Sequence, residues 1–599
     1  MTRGNALLHL GEFEAAGESY RRALDIEDAM PGLDARFRAN TLATLAHAEM
    51  AAGNLERADE ILRRAEALPI ESKGWGSTVT HVLARADLAH HSGRPQEALR
   101  HLELAAEIEG QTYGSARSHF FRTQYQQVFD RLVGLLFDGV LPQGQAEALA
   151  FRTLEQMRYR SFRSLVVRLG APTLGERLPT PAEREVVARI EELTREGTPS
   201  SPDRWRQLRR AYAEYEDVVL RSELESERHR LLAEGRPIDL ETLRSGLEPG
   251  DTLVELVVSP PRVFALVIDA EDITSVVLPV DPETLETKIK LFRHRIFVDA
   301  EEARSNPEAW RPLARDLGRL LIDPLDEAGA LAKTRRLILV PMGTLHDLPF
   351  AALVDRSDRV LAERFVLLRT PSATRWARPR RSGSPPPGLP VLALGLGSST
   401  GLDLAPLQHT ENEAREVAAS LGGEAEVGAR ASEAVLIRRG ANARRIHLAT
   451  HGLAEPRLPL HSRLVLSAGD GEDGSLTVRE ILDTTLAAEL VVLSACGTGL
   501  SPSTGGLGLE VDRIGFVEAF LHAGASAVMA TLLPVSDAET AELIRRFYQG
   551  LGETPPDEAL AEVRRQLLTA APGTFDAALT HPRTWAPWIL VRIAQESES

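Results

Sequence analysis

The chain has 599 residues, of which 43% are hydrophobic, and a formal net charge of −17. Its length predicts three or four domains, its negative charge argues against non-specific nucleic-acid binding, and no apolar run reaches the ~18 residues of a membrane-spanning helix. Cys496 is the only cysteine, which argues against a disulfide-stabilised secreted protein. We therefore expect a cytoplasmic protein that binds neither nucleic acid directly nor a membrane.

Residues 1–110 contain a repeated pattern centred on Gly11, Gly53 and Gly93, and in each copy alanines follow the glycine by five and by twelve residues. Glycine permits a tight turn between two helices, and alanine lets the helices pack closely. The pattern resembles tetratricopeptide repeats, with a spacing longer than the ~34 residues of that family. We expect the chain to begin partway through the first repeat.

Residues 111–242 are predicted to form a helical linker. A helical stripe of apolar residues runs through 115–169, and a charged, amphipathic stretch at 179–232 predicts a helical hairpin.

The period of the apolar residues changes near residue 243. Strands are predicted at 252–258, 262–268 and 336–340, and helices between them indicate a layered α/β domain. His346 follows the last of these strands, but no cysteine follows it in this half, so we expect it to be structural.

Two short apolar runs in residues 390–599 each end in a reactive side chain, the first in His451-Gly452 and the second in Cys496-Gly497. Such runs predict buried parallel strands, and ligands bind beyond the carboxyl ends of such strands. An imidazole beside a thiol can produce the nucleophilic thiolate. The backbone N–H groups of Gly452 and Cys496 are candidate donors to an oxyanion.

The sequences His-Leu-Ala-Thr-His-Gly at 447–452 and Leu-Ser-Ala-Cys-Gly-Thr-Gly at 493–499 resemble the CHAT domain. This is a caspase- and separase-related cysteine peptidase domain that is often fused to tetratricopeptide repeats. The resemblance covers roughly residues 243–593. It implies a caspase-like α/β domain with a pseudo-peptidase half and a catalytic half.

The expected fold class is therefore α-helical repeats and a helical linker followed by this α/β domain. The predicted boundaries are 1–110 for the repeats, 111–242 for the helical linker, 243–377 for the pseudo-peptidase half, 378–389 for a Pro- and Arg-rich linker, and 390–599 for the catalytic half.

The resemblance implies a cysteine endopeptidase in which Cys496 attacks a protein substrate and His451 handles the proton. It also implies regulation by a protein bound to the repeats, and a role in prokaryotic defence or cell death. We expect no metal and no cofactor, because no His/Cys cluster has ligand spacing and the Gly-x-Gly of Gly395 and Gly397 lacks a third glycine. Two alternatives stay open: a catalytically silent interaction scaffold, and a non-proteolytic hydrolase that uses the same two residues.

Asp537 is the candidate for substrate recognition. In separase-like relatives an acidic group at this strand end receives a basic side chain, and a carboxylate pairs well with a guanidinium. The alternative is that Asp537 is the N-cap of a helix at 538–548. Of the remaining residues near the site, His447 is predicted to lie in the core, and the Gly- and Ser-rich segment 501–512 is predicted to be a mobile gate.

Overall fold

A computed structural model describes the residues 2–30, 33, 35–68, 75–112, 128–129, 131–135, 143–169, 185–186, 189, 207, 237–377, 389–398, 404–455, 459–469, 471–495, 515–552, 554–571 and 573–593. These residues fall into two compact units. The first comprises 1–154 and 163–230, and the second comprises 155–162 and 231–599. Among the described residues, no helix is both long and apolar enough to cross a membrane.

Among the described residues of the first unit, six helices form three consecutive pairs. The helices are α1 (Thr2–His9), α2 (Phe13–Asp28), α3 (Ala35–Ala51), α4 (Leu55–Glu66), α5 (Trp75–His91) and α6 (Pro95–Thr112).

The glycines of the repeat lie at the turn within each helical pair. Gly11, Gly53 and Gly93 have φ angles of 77°, 83° and 69°, a left-handed conformation that glycine adopts without steric cost. Ala58 and Ala98, which follow the second and third glycines by five residues, are completely buried. The predicted helix–turn–helix repeats are therefore confirmed.

The helix Gln143–Leu169 contributes residues 155–162 to the second unit. Most of the predicted hairpin at 179–232 and most of the stretch 113–142 lie outside the described residues.

The described strands of the second unit are β1 (Asp251–Ser259), β2 (Arg262–Ile268), β3 (Ile273–Leu278), β4 (Arg336–Val340), β5 (Val366–Arg369), β6 (Leu392–Gly395), β7 (Glu424–Val427), β8 (Arg445–Ala449), β9 (Gly452–Leu453), β10 (Arg463–Val465), β11 (Ser475–Thr477), β12 (Leu490–Ser494), β13 (Ala527–Thr531) and β14 (Trp588–Arg592). Eleven of them form a mixed sheet at the centre of the unit, in the order β3-β2-β1-β4-β5-β14-β13-β12-β8-β6-β7. The other three form a small second sheet in the order β11-β10-β9.

Helices connect and cover these strands, so the predicted α/β architecture is confirmed. Their bounds are Leu240–Ser245, Pro282–Ile296, Ala300–Ser305, Arg311–Leu321, Asp323–Glu327, Leu361–Arg364, Ala373–Ala377, Thr410–Leu421, Glu433–Gly440, Val478–Asp483, Phe516–Ala523, Asp537–Leu551, Pro556–Leu568, Ala577–Thr580 and Pro582–Trp585.

Strand direction decides which side chains share an edge of the sheet. Strands β6, β7, β8, β12 and β13 run parallel to their neighbours in this set, so their carboxyl ends lie at one edge. Strand β14 runs antiparallel to β13. Every residue of β12 is buried, as expected for a strand covered on both faces.

A buried ion cluster joins the residues 155–162 to the sheet within the second unit. Arg158 Nη1 donates to Glu155 Oε1 at 2.9 Å and to Glu255 Oε2 at 2.7 Å. Glu155 also accepts the N–H groups of Ala373 and Thr374 at the start of a helix. Burial raises the pKa of Glu255 to about 7, although Arg158 opposes that shift.

Candidate functional site

Strands β8 and β12 end at the same edge of the sheet, and each ends shortly before one of the two predicted reactive positions in the sequence. Their parallel register pairs Ala449 with Ser494, and the N–H of Thr450 donates to the Ser494 carbonyl at 3.3 Å. His451 is two residues beyond Ala449, and Cys496 is two residues beyond Ser494 in the sequence. Cys496 itself lies outside the described residues.

The ring of His451 is held by a backbone carbonyl. Its Nε2 lies 2.9 Å from the carbonyl oxygen of Ala405. A carbonyl oxygen only accepts hydrogen bonds, so Nε2 must carry the proton in this contact. In the neutral ring the lone pair is then on Nδ1, which is the nitrogen that can take a proton from a thiol.

Two glycines let the segment that carries Ala405 lie close to the end of β6. A Cβ atom on Gly395 would be 2.6 Å from the carbonyl oxygen of Thr410, and one on Gly397 would be 2.7 Å from that of Leu407. The N–H of Leu407 donates to the Gly397 carbonyl at 2.7 Å. The structural function of this Gly-x-Gly sequence is thus close backbone approach.

Gly452 begins β9, directly after His451. The N–H of Val465 donates to the His451 carbonyl, and the register pairs Gly452 with Leu464. Hydrogen-bonded and non-hydrogen-bonded pairs alternate along an antiparallel ladder. Gly452 therefore occupies a non-hydrogen-bonded pair, and its N–H points away from β10.

Thr531 forms a hydrogen bond to Ala495, which is the last described residue before Cys496. This threonine ends β13 and is completely buried. Its hydroxyl donates to the Ala495 carbonyl at 3.1 Å, which fixes the path of the chain beyond β12. Thr450 makes an equivalent contact beside His451, because its hydroxyl donates to the Val465 carbonyl. Neither threonine was predicted as part of the site.

Asp537 is the first residue of the helix Asp537–Leu551, and the N-cap is Ser536. The alternative that Asp537 is the N-cap is therefore wrong. Its carboxylate instead accepts the backbone N–H of His409, with an Oδ2–N distance of 2.9 Å. The segment 404–409 thus contacts both His451 and Asp537.

The other two histidines considered in the sequence have different surroundings. His447 is completely buried, and its Nε2 lies 2.9 Å from Glu413 Oε1 while the Tyr548 hydroxyl lies 3.3 Å from Nδ1. It is a core residue, as predicted. His346 belongs to a short 3₁₀ turn, and its carbonyl accepts a hydrogen bond from Arg369.

Acidic, histidine and cysteine side chains can bind a metal ion when several of them converge. Within the part of the chain that the structure describes, no three of them are arranged to hold an ion. The predicted gate at 501–512 lies outside that part.

Comparisons with known protein families found matches in the N-terminal helices and in the α/β unit. Residues 311–592 match the CHAT domain family, and residues 1–29 match a tetratricopeptide repeat family. "Tetratricopeptide repeat protein 28" of Homo sapiens is 28% identical over 333 residues, which is 47% of this chain and 13% of that protein. The Mus musculus protein of the same name is 28% identical over 341 residues, again 13% of its length. The chain thus spans about an eighth of these relatives.

A solved structure, the Saccharomyces cerevisiae separase–securin complex, aligns with 97% of this chain and 49% of its own at 11% identity and a TM-score of 0.42. The chain is thus similar to a tetratricopeptide repeat family over residues 1–29 and to the CHAT domain family over residues 311–592.

Proposed function

We propose that the chain is a cysteine endopeptidase in which Cys496 and His451 act on a peptide bond. The parallel register of β8 and β12 is the observation that carries the proposal, because it brings Thr450 and Ser494 into hydrogen-bond contact. The CHAT family match supports a peptidase-related function. The choice of Cys496 and His451 as the reacting residues comes from the two sequence motifs that contain them.

In the proposed reaction, Nδ1 of His451 takes the thiol proton of Cys496. The thiolate sulfur attacks the carbonyl carbon of the scissile amide, and the carbonyl electrons move onto oxygen. The N–H groups of Gly452 and Cys496 stabilise that oxyanion. The imidazolium then gives its proton to the leaving amine, and water hydrolyses the thioester to release the acid and regenerate the thiol.

The Ala405 carbonyl has a defined part in this proposal. When His451 gains the thiol proton, both ring nitrogens carry hydrogen, and the Nε2–H remains bound to a partial negative charge. That contact keeps the ring in one orientation throughout the reaction.

We further propose that Asp537 selects a basic residue before the cleaved bond. One of its carboxylate oxygens accepts the His409 N–H, and the second would pair with a guanidinium or ammonium group. The helical repeats would bind a regulatory protein or the protein substrate, because stacked helical repeats offer an extended contact surface.

A peptide library tests the activity. Wild-type protein, Cys496→Ala and His451→Ala are incubated with the library, with and without candidate regulatory proteins, and products are identified by mass spectrometry. Cleavage after basic residues by the wild type alone is expected. Hydrolysis of esters but of no peptide would favour the non-proteolytic hydrolase. A partner that binds wild type and Cys496→Ala equally, with no cleavage in any condition, would favour the silent scaffold.

A further inference from the structure

The ring of His447 in β8 is contacted by side chains from two different helices. Its Nε2 lies 2.9 Å from Oε1 of Glu413, which belongs to the helix Thr410–Leu421. Its Nδ1 lies 3.3 Å from the hydroxyl of Tyr548, which belongs to the helix Asp537–Leu551. His447 is completely buried, and Glu413 and Tyr548 are 4% and 2% exposed. Three polar side chains from three elements therefore meet inside the core.

The hydrogen bonds of this group use both nitrogens of the ring. An ionised carboxylate only accepts hydrogen bonds, so Nε2 of His447 carries the hydrogen in its contact with Glu413. In the neutral ring, Nδ1 then accepts the Tyr548 O–H. Burial, and after it the charge of Glu413, raises the pKa of Tyr548, so the phenol keeps the proton that it donates. These directional contacts hold each helix in one position relative to β8.

Net stability does not explain why such a group lies in the core. Desolvation offsets most of what a buried polar contact contributes, and apolar side chains of similar volume are often as stabilising or more so. The contacts around His447 do specify geometry, because each bond fixes a direction as well as a distance.

Each of the two helices begins at the candidate site. His409 is the N-cap of the first helix, and its carbonyl accepts the Glu413 N–H at 2.8 Å. Asp537 is the first residue of the second helix, and its carboxylate accepts the His409 N–H. This hydrogen bond therefore joins the starts of two helices that are both bound to His447 further along their lengths.

The first helix is also continuous with the segment that contacts the candidate general base. Residues 404–409 lead directly into it, and the Ala405 carbonyl in that segment accepts from the ring of His451. His451 in turn follows His447 by four residues at the end of β8. The contacts thus form a closed circuit that begins and ends on one strand.

We propose that Glu413 and Tyr548, acting through His447, are positioning residues for the proposed peptidase. They hold the starts of the two helices together, so that the Asp537 carboxylate and the Ala405 carbonyl keep fixed places at the site. This role rests on the proposed function, but the positioning itself can be measured without turnover.

Hydrogen exchange of the His409 amide, followed by mass spectrometry of overlapping peptides, measures the positioning. Glu413→Met, which puts an apolar side chain of similar length in place of the carboxylate, should speed this exchange at least about tenfold. Tyr548→Phe removes only the hydroxyl and should give a smaller increase, of about threefold. Glu416→Met, at an exposed position of the same helix, should match the wild type. Unchanged exchange in Tyr548→Phe, or in folded Glu413→Met, would overturn the proposal.

Peptide cleavage by the same proteins tests what the positioning does. In Glu413→Met, kcat/KM for peptides with a basic residue before the cut should fall at least about tenfold, and by more than for neutral peptides. Glu413→Gln should recover most of the rate, since its side-chain carbonyl can accept from Nε2 of His447. Wild-type activity and preference in Glu413→Met would overturn the positioning role.

The two measurements separate this inference from the proposed function. If the wild type cleaves no peptide but the His409 amide responds to Glu413→Met and Tyr548→Phe as expected, the positioning by His447 is supported and the peptidase proposal alone fails. Thermal unfolding of each variant checks that it folds, and Tyr548→Phe keeps the test decisive if Glu413→Met does not.

Discussion

The Nε2–H of His451 donates to the carbonyl of Ala405 over 2.9 Å. This contact links the loop after β6 to the histidine after β8, and it sets the tautomer of the ring. A side chain can act as a general base only with its lone pair directed at the proton that it removes. The position of residue 405 therefore matters to the proposed reaction, although its own side chain is a methyl group.

Gly397→Ala tests the positioning of that carbonyl. The added Cβ would meet the Leu407 carbonyl oxygen at 2.7 Å and displace the segment that carries Ala405. We expect kcat/KM for peptide cleavage to fall by about 10- to 100-fold, because small misplacements of catalytic groups have effects of that size. Gly469→Ala is the matched control, since its Cβ would meet no atom within 4 Å. Equal activities of the two variants would contradict this function of the loop.

Thr531→Val tests the hydrogen bond to Ala495, the residue before Cys496 in the sequence. The substitution keeps the buried shape but removes the donor to the Ala495 carbonyl. We expect kcat to fall about tenfold with little change in KM, together with a loss of about 1 kcal/mol in the free energy of unfolding. Thr531→Ser, which keeps the hydroxyl, should recover most of the rate. If the serine variant is as slow as the valine variant, the hydroxyl does not position the nucleophile.

Asp537→Asn tests substrate selection. Asparagine can still accept the His409 N–H through its side-chain carbonyl, but it has lost the negative charge. We expect the preference for Arg or Lys over a neutral residue before the cut to fall by at least about tenfold, as expected for losing a charged hydrogen bond. Library cleavage measures it, and Ser536→Ala at the adjacent N-cap should keep the preference. An unchanged preference in Asp537→Asn would leave Asp537 as a structural partner of His409.

Glu255→Gln tests the buried ion cluster through the pH dependence of stability. The folded-state pKa of Glu255 is raised to about 7 from its ordinary 4.5. The folded protein therefore binds this proton more tightly than the unfolded chain, and the associated stability is lost as pH rises from about 4.5 through 7.

Glutamine cannot titrate, so the stability of Glu255→Gln relative to wild type should increase by about 2–3 kcal/mol between pH 4.5 and 8. Denaturant unfolding of both proteins across this range measures the difference. Glu271→Gln, at an exposed position, should follow the wild type. A pH-independent difference between Glu255→Gln and wild type would show that Glu255 does not titrate in this window.

Much of the fold follows from local sequence signals. The repeated glycines at 11, 53 and 93 predicted the turns of the first unit, because the left-handed φ angles at these turns favour glycine. The β-branched runs that contain Val491 and Ile446 predicted β12 and β8. Strand β7 was not predicted, because its sequence Glu-Ala-Glu-Val is partly exposed and carries no apolar run.

The parts of the site that depend on contacts with backbone atoms of distant segments could not be predicted from the sequence. A strand followed by His451-Gly452 has a recognisable pattern. The carbonyl of Ala405 and the hydroxyl of Thr531 are brought in by tertiary contacts across 46 and 36 residues of chain, and no local pattern signals them. The glycines at 395 and 397 were the one available hint, and their function is close packing.

Covalent labelling of Cys496 tests the central claim most directly. Intact-mass spectrometry would follow the reaction of the single cysteine with an acyloxymethyl ketone of a basic peptide. We predict one adduct per wild-type chain, slowed at least about 100-fold in His451→Ala, while iodoacetamide labels both proteins equally once they are unfolded. Labelling of folded His451→Ala at the wild-type rate would contradict the account, because the thiol would then react without the imidazole.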